Sequence, residues 1–383
     1  MPESREELIR SIWTPPSSWK VPGSWFWWFW LFFIHDENTA RTGKCRQLMI
    51  LWSTKDCDRI KVNDHPWERK LDISEHELPS GAGEWAGGKE TRFGGMTAAW
   101  YYDGRRMHDP FVLEENDFTV HRNAGGERGE LLPSSPNTLN LRGDPNKYEM
   151  DIRLKDWDMH FSMTPWNGFL SKQRYKAAHY IGRYGYNILR IYGSKLAGTI
   201  VHGGKREEVA GSAYFQKVMV NAPATPWYWG TFHIEDGSYI DYFNPHIGPP
   251  MRRRTESPRS RWDWGELGLS RHMQYYDAGE DRVYEMRKLK VRKQWNAEGL
   301  PIFDVLGRSK DGGTELKLRA ASYARAFWRF EQRYLGWFTS ILHYNEYPVE
   351  LQSLEFRSGP KRLKLDDLGS VTGNCEHTWG KLL

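Results

Sequence analysis

Cysteine is scarce in this chain. The 383 residues hold three, Cys45, Cys57 and Cys375, an odd number with no CxxC spacing. That excludes a disulfide framework and a thiolate zinc site, and it predicts a reducing, cytoplasmic compartment. The thirteen histidines are scattered, with no HExxH and no pair at i, i+2 or i, i+4, so no metal is expected. No Gly-rich loop follows a strand and opens a helix, and no GxSxG is present, so nucleotide binding and a serine-hydrolase elbow find no support. Charge of one sign is not in excess either, because the formal net charge is +5. Two basic stretches stand out, Arg252, Arg253, Arg254, Arg259 and Arg261 in one and Arg287 to Lys293 in the other. Each could meet phosphate or an anionic membrane surface, but such runs are more often solvated loops or strand faces, and nucleic acid is not an expected partner.

Long apolar runs are missing. The longest, Trp25 to Ile34 (WFWWFWLFFI), is about half of what a helix needs to span a bilayer, and reads as a buried strand or an interfacial segment. The start, MPESREELIRSIW, is charged and lacks an apolar h-region, which argues against a secretory signal. Leu8, Ile9, Ile12 and Trp13 fall on one face of a short helix that the prolines at 15 and 16 stop. Beyond it, helix periodicity is scarce.

What the chain has is aromatics: 20 Trp, 19 Tyr and 17 Phe, many in short alternating runs bounded by Gly, Pro and Asp. Strand-like runs cover 25–35, 46–53, 97–102, 118–122, 148–154, 157–163, 187–193, 195–202, 213–220, 227–234, 238–243, 272–278, 283–291, 315–321, 337–345 and 349–357. Asp103-Gly104, Gly203-Gly204, Asp236-Gly237 and Asp311-Gly312-Gly313 mark turns between them, and Gly94-Gly95 reads as another. Residues 79–95 and 248–258 read as long loops. The inventory describes an all-β, antiparallel protein. At this length two domains are expected, because single cores stop growing at roughly 250–300 residues.

The segment 184–243 carries the most specific pattern. Val209-Ala210-Gly211 is followed by Tyr214, then by Trp227-Tyr228-Trp229 and the Asp236-Gly237 hairpin. The chain's end, Val371 to Gly380, places Glu376 four residues before a glycine, and Trp27-Trp28 is a paired aromatic near the start. These features resemble the lipocalin-like superfamily of carotenoid 1,2-hydratases, AttH-type proteins, kievitone hydratase and fungal decalin-forming Diels-Alderases. The resemblance implies two tandem lipocalin-like antiparallel β-barrels, with an N-terminal extension over 1–20, one barrel over 21–215 and a second over 216–383. A ligand cavity would lie within or between them. Where the hydratase-like members carry a Tyr-His-Asp-His type run, this chain reads Tyr214-Phe215-Gln216-Lys217-Val218-Met219, keeping the Tyr and losing the His and Asp.

Alkene hydration needs a strong, positioned acid, such as a carboxylic acid kept neutral by burial, and Gln216 cannot be that acid. His233, Glu235, Asp241 and Glu376 remain as proton sources. Tyr214 and Gln216 share one strand face and can polarise a carbonyl, with Lys217 on the other. Trp227, Trp229, Thr231, His233 and Glu235 share a face, so the two indoles read as a cavity wall able to steady a cation. Asp241 lies between Tyr239 and Phe243 on the paired strand. The expected catalytic set is Tyr214, Gln216, His233, Asp241 and Glu376, and the expected substrate contacts are Trp28, Trp227, Trp229, Tyr242, His343 and Glu346. The leading expectation is a cofactor-independent hydratase or cyclase acting on a long unsaturated hydrophobic substrate of isoprenoid or polyketide type. The alternatives are a lipid or pigment carrier using the same cavity, and an interaction protein whose barrels are filled by their own side chains. A peripheral membrane contact and the oligomeric state stay open.

Overall fold

The computed structural model describes residues 5–15, 24–37, 39–56, 59–67, 72–81, 83–135, 137–166, 176–181, 184–221, 226–246, 271–334 and 338–382. Cys57, the arginines between 252 and 261 and the expected loop 248–258 lie outside these ranges. The described chain is almost entirely β. Its first half contains α1 (Arg5–Ser11), β1 (Trp25–His35), α2 (Thr39–Thr42), β2 (Arg46–Lys55), β3 (Arg59–Val62), β4 (His65–Trp67), β5 (Ser74–Glu77), β6 (Lys89–Tyr102), β7 (Met107–Arg122), β8 (Gly129–Pro133), β9 (Thr138–Asp144), β10 (Lys147–Leu154), β11 (Trp157–Pro165), β12 (Lys176–Ile181), β13 (Tyr184–His202) and β14 (Lys205–Asn221). The second half contains β15 (Trp227–Ile234), β16 (Tyr239–Pro245), β17 (His272–Asp277), β18 (Arg282–Met286), β19 (Lys288–Trp295), β20 (Pro301–Arg308), β21 (Thr314–Ser322), β22 (Ala326–Tyr334), β23 (Phe338–Ser358), β24 (Lys361–Lys364) and β25 (Val371–Leu382). Among the described residues no helix is long and apolar enough to cross a membrane.

Ten antiparallel strands close into a barrel in the order β11-β10-β9-β8-β7-β6-β2-β1-β14-β13, and the β11–β13 pairing completes the ring. The second sheet runs β18-β17-β16-β15-β25-β23-β21-β20-β19, and among the described residues no ladder joins its ends. Two closed barrels were expected; the first is there, and the second sheet is not closed. The hairpin β3–β4 leaves the barrel half of the chain and joins the second sheet through β22. The strand that contains the expected domain boundary at 215–216 continues unbroken to Asn221.

Strand β1 shows why WFWWFWLFFI has no polar alternation. It lies between β2 and β14 and is buried on both faces. Its even residues, Phe26, Trp28, Trp30, Phe32 and Ile34, point into the barrel, where they pack with Trp52, Tyr148, Phe161 and Met163. Its odd residues, Trp25, Trp27, Phe29, Leu31 and Phe33, face the second sheet. The barrel interior is thus occupied by the chain's own rings, and α1 stoppers one end. Ile12 and Trp13 are buried in the same core, Trp28 Nε1 donates to the Ile12 carbonyl at 2.8 Å, and Lys217 donates to the carbonyls of Ser11 and Thr14.

Several turns are where the sequence places them: residues around 103, 203, 236 and 311 join consecutive strands. Gly94-Gly95 is a correction. It lies in the middle of β6, where a Cβ on Gly95 would meet the Ser53 carbonyl oxygen at 2.5 Å and the Phe118 ring at 2.3 Å. The pair is small because backbone and ring approach closely, and the chain does not turn there. The expected strands 187–193 and 195–202 are one strand, β13, with a bulge between Ile191 and Ser194. The bulge lets the first half pair β12 and the second half pair β11. Likewise 337–345 and 349–357 merge into β23. Pro348 is tolerated there because its missing N–H falls where the partner changes from β22 to β21, and its carbonyl accepts from Tyr323 N–H at 3.0 Å.

Candidate functional site

Residues directly opposite on neighbouring antiparallel strands share a face. Across the second sheet this places His272, Phe243, Trp229, Glu376 and Glu346 in one row, from β17 through β16, β15 and β25 to β23. The adjoining row holds Gln274, Asp241, Thr231 and Asn374. Both rows face the barrel wall, which contributes Phe29, Tyr214, Gln216, Arg190 and Tyr192 from β1, β14 and β13. Rings pack across this interface: Trp229 lies 5.1 Å from Tyr214 and 6.0 Å from Phe29, and Tyr192 stacks on Tyr239 at 4.7 Å. Polar groups set among them are cut off from water, so each must be satisfied locally or titrate away from its charged form.

Two carboxyl groups meet in this way. Glu346 and Glu376 are direct cross-strand neighbours, 0% and 2% exposed. Glu376 accepts from Trp227 Nε1 at 2.7 Å and from the Tyr344 hydroxyl at 2.5 Å, whereas among the described residues neither Glu346 oxygen makes a hydrogen bond of good geometry, its nearest donors being Tyr344 and Trp100. Burial pushes Glu376 up to about 7, tempered by those two donors and by Arg190. Burial and then the neighbouring charge of Glu376 push Glu346 well above the carboxylate range. Like charges this close cannot both ionise, so at neutral pH the pair holds at least one acidic proton in a dry, aromatic setting.

Beside the pair lies a second cluster. Arg190 is 1% exposed; its Nη1 donates to the Tyr192 hydroxyl at 3.5 Å, and among the described residues no atom within hydrogen-bond geometry accepts from its Nε or Nη2. Burial opposes its charge, but Tyr192, Tyr214 and Asp241 outweigh that and raise its pKa. Asp241 is fully buried, accepts from Trp229 Nε1 at 3.0 Å, and has His272 Nε2 at 3.6 Å from its other oxygen. Burial depresses His272, opposed by Asp241, so the ring is held neutral. Tyr214 donates to Gln216 Oε1 at 3.3 Å, and burial lifts its phenol well above the ordinary value, so it stays a donor. Both Asp241 and Arg190 act electrostatically on Glu376, which makes the two clusters one site.

Of the residues singled out from the sequence, Tyr214, Gln216, Asp241, Glu376, Trp227, Trp229 and Glu346 come together here. His233 shares the face but is fully engaged. Its Nε2–H donates to the Tyr192 carbonyl and its Nδ1 accepts from Ser212, both at 2.8 Å. Burial drives its pKa down to about 3, so it holds no spare proton at neutral pH. Glu235 lies at the exposed turn after β15, where it accepts from Ser370 N–H. Trp28 points into the barrel core. Tyr242 points to the opposite side of the second sheet, where its hydroxyl meets Cys375 at 3.4 Å. His343 occupies that opposite side too, stacked 5.1 Å from Trp379. Arg190, Tyr192, His272 and Tyr344 were not singled out. Arg190 leaves one trace in the sequence, a lone cation at a core-facing position of the apolar run NILRIYG. Among the described residues no three His, Cys, Asp or Glu side chains converge as a metal site.

No family model matches the chain, and no curated relative does. Solved structures do. An AttH candidate from Nitrosomonas europaea is similar over 94% of this chain and 92% of its own, at 11% identity and a TM-score of 0.48. CghA is similar over 94% of this chain and 88% of its own, at 5% identity and a TM-score of 0.49.

Proposed function

We propose that the space between the barrel wall and the second sheet is the reaction chamber of a cofactor-independent enzyme. It hydrates or cyclises a long unsaturated hydrophobic substrate, of isoprenoid or polyketide type, that carries a carbonyl. The observation that carries this reading is the buried carboxyl pair Glu346–Glu376, an acid kept protonated near neutral pH beside indole faces. Protonation of an alkene carbon demands such an acid, and the Trp227 and Trp229 faces offset the positive charge that follows. Arg190, through its unspent N–H groups, and the Tyr214 hydroxyl hold the substrate carbonyl and polarise it.

In the hydration the acid's O–H bond breaks as a C–H bond forms, and water adds to the cationic carbon. The proton that water loses goes to the Asp241 carboxylate and returns to the pair. In a cyclisation a second double bond replaces water as the nucleophile, and loss of a proton from carbon to the carboxylate regenerates the acid. The decisive test incubates the protein in D2O with the apolar extract of its host and analyses bound and released lipids by mass spectrometry. The expected result is a product with one carbon-bound deuterium that disappears with Glu376→Gln. A lipid that binds tightly and returns unchanged would overturn the catalytic reading and leave a carrier.

A further inference from the structure

The outer face of the second sheet carries an excess of positive charge that neither its fold nor the proposed chemistry uses. On β19, β20, β21, β23 and β24 the alternate apolar residues, among them Leu289, Val291, Phe303, Val305, Leu318 and Phe356, pack inward. Alternation therefore turns the intervening residues out. Register arranges these in three rows. One reads Lys288, Arg308, Glu315, Arg357, Arg362; the next Lys290, Leu306, Lys317, Glu355, Lys364; the third Arg292, Asp304, Arg319, Ser353. Nine cations face three carboxylates, a net +6 on this face against +5 for the whole chain.

The surplus is not there for stability. Lys288 lies directly opposite Arg308, and Arg357 directly opposite Arg362, and like charges so placed are destabilising. Glu315 is shared among Arg308, Lys317 and Arg357, Lys317 also reaches Glu355 at 3.8 Å, and Arg319 uses Asp304 at 3.1 Å. Lys290 and Arg292 have no carboxylate within ion-pair distance among the described residues. These two, with Lys317 and Arg319, line a concavity of about 520 Å³ that has Leu306 among its walls.

We propose that this face is a docking surface for an anionic phospholipid membrane. Its geometry suits that partner: five adjacent strands spaced about 4.8 Å apart and three rows roughly 7 Å apart give a two-dimensional grid of about 20 by 14 Å. Mobile headgroups can gather under such a grid. A polynucleotide would instead be met by cations in a track with aromatic stacking platforms between them, and the three rows contain no aromatic residue. The proposal is independent of the chemistry assigned to the space between the sheets.

The test is flotation of the full chain with vesicles of phosphatidylcholine alone and with about one-quarter phosphatidylglycerol. Binding is expected only to the anionic vesicles and should weaken steeply as salt rises. Each cation near such a surface is worth about a fivefold change in partitioning, so Lys290→Gln with Arg292→Gln should weaken binding about 25-fold. Neither side chain has an ion-pair partner among the described residues to lose, so the fold is not at risk. A control, Arg153→Gln with Lys205→Gln, removes two exposed charges elsewhere and should change binding little. Equal loss in the control, no binding by the unmodified chain, or tighter binding to duplex DNA than to the anionic vesicles would each overturn the proposal.

Discussion

The carboxyl pair makes a quantitative claim about pH and stability. An acid at about 7 in the folded chain and about 4.5 when unfolded binds its proton more tightly in the native state. Below about pH 4.5 both states are protonated and the full stabilisation is present. As pH rises from there the unfolded chain ionises first, and stability falls until the folded group has ionised as well. At 1.36 kcal/mol per unit, the shift of Glu376 alone costs about 3 kcal/mol between about pH 4.5 and pH 8. Denaturant midpoints across this range for the wild-type chain and for Glu376→Gln give the comparison, because the variant retains the other ionisable groups. The wild type should lose about 3 kcal/mol more than the variant over the window. Isotope-edited infrared spectra should show a protonated carboxyl stretch near neutral pH that Glu346→Gln or Glu376→Gln diminishes. Parallel pH profiles for wild type and variant, with no such stretch, would refute the assignment of a protonated pair.

Further outcomes follow from the same geometry. Asp241→Asn should abolish turnover while ligand affinity changes little, as read by intrinsic tryptophan fluorescence titration; equal loss of both would make Asp241 a positioning group only. Trp229→Ala removes a wall of the chamber and should weaken ligand binding by about 1–3 kcal/mol, whereas unchanged affinity would place the ligand elsewhere. Gly95→Ala forces a Cβ against the Ser53 carbonyl and the Phe118 ring, and should lower stability by about 1–3 kcal/mol in equilibrium unfolding.

Much of the fold is legible in the residues. WFWWFWLFFI is too short to span a bilayer as a helix and reads as a strand, and its lack of alternation reports burial on both faces, one to the barrel and one to the second sheet. The Asp-Gly and Gly-Gly turns fall between consecutive strands because those residues accept the backbone geometry tight hairpins need. Strands such as β3, β5, β8 and β9 escaped notice. They are short and polar on their outer side, and carry too little periodic signal on their own. The merging of paired runs into β13 and β23 was equally hidden. Whether a Gly-Ser or a Pro ends a strand or sits at a bulge depends on which neighbour pairs on each side.

For the site, sequence alone determined that Tyr214 shares a face with Gln216, Trp227 with Trp229, and that Asp241 lies among rings, since a strand's period of two is a local property. The resemblance of the chain's end to the lipocalin-like superfamily made Glu376 a candidate acid. Only the tertiary structure decided that β25 sets Glu376 against Glu346, and that His233 spends both ring nitrogens. It likewise decided that Tyr242 and His343 face away, and that Arg190 is buried with donors unspent. Each of these depends on register and packing between strands distant in the chain. A shift of one residue would invert every such assignment, and no local pattern records which distant partner a strand will meet.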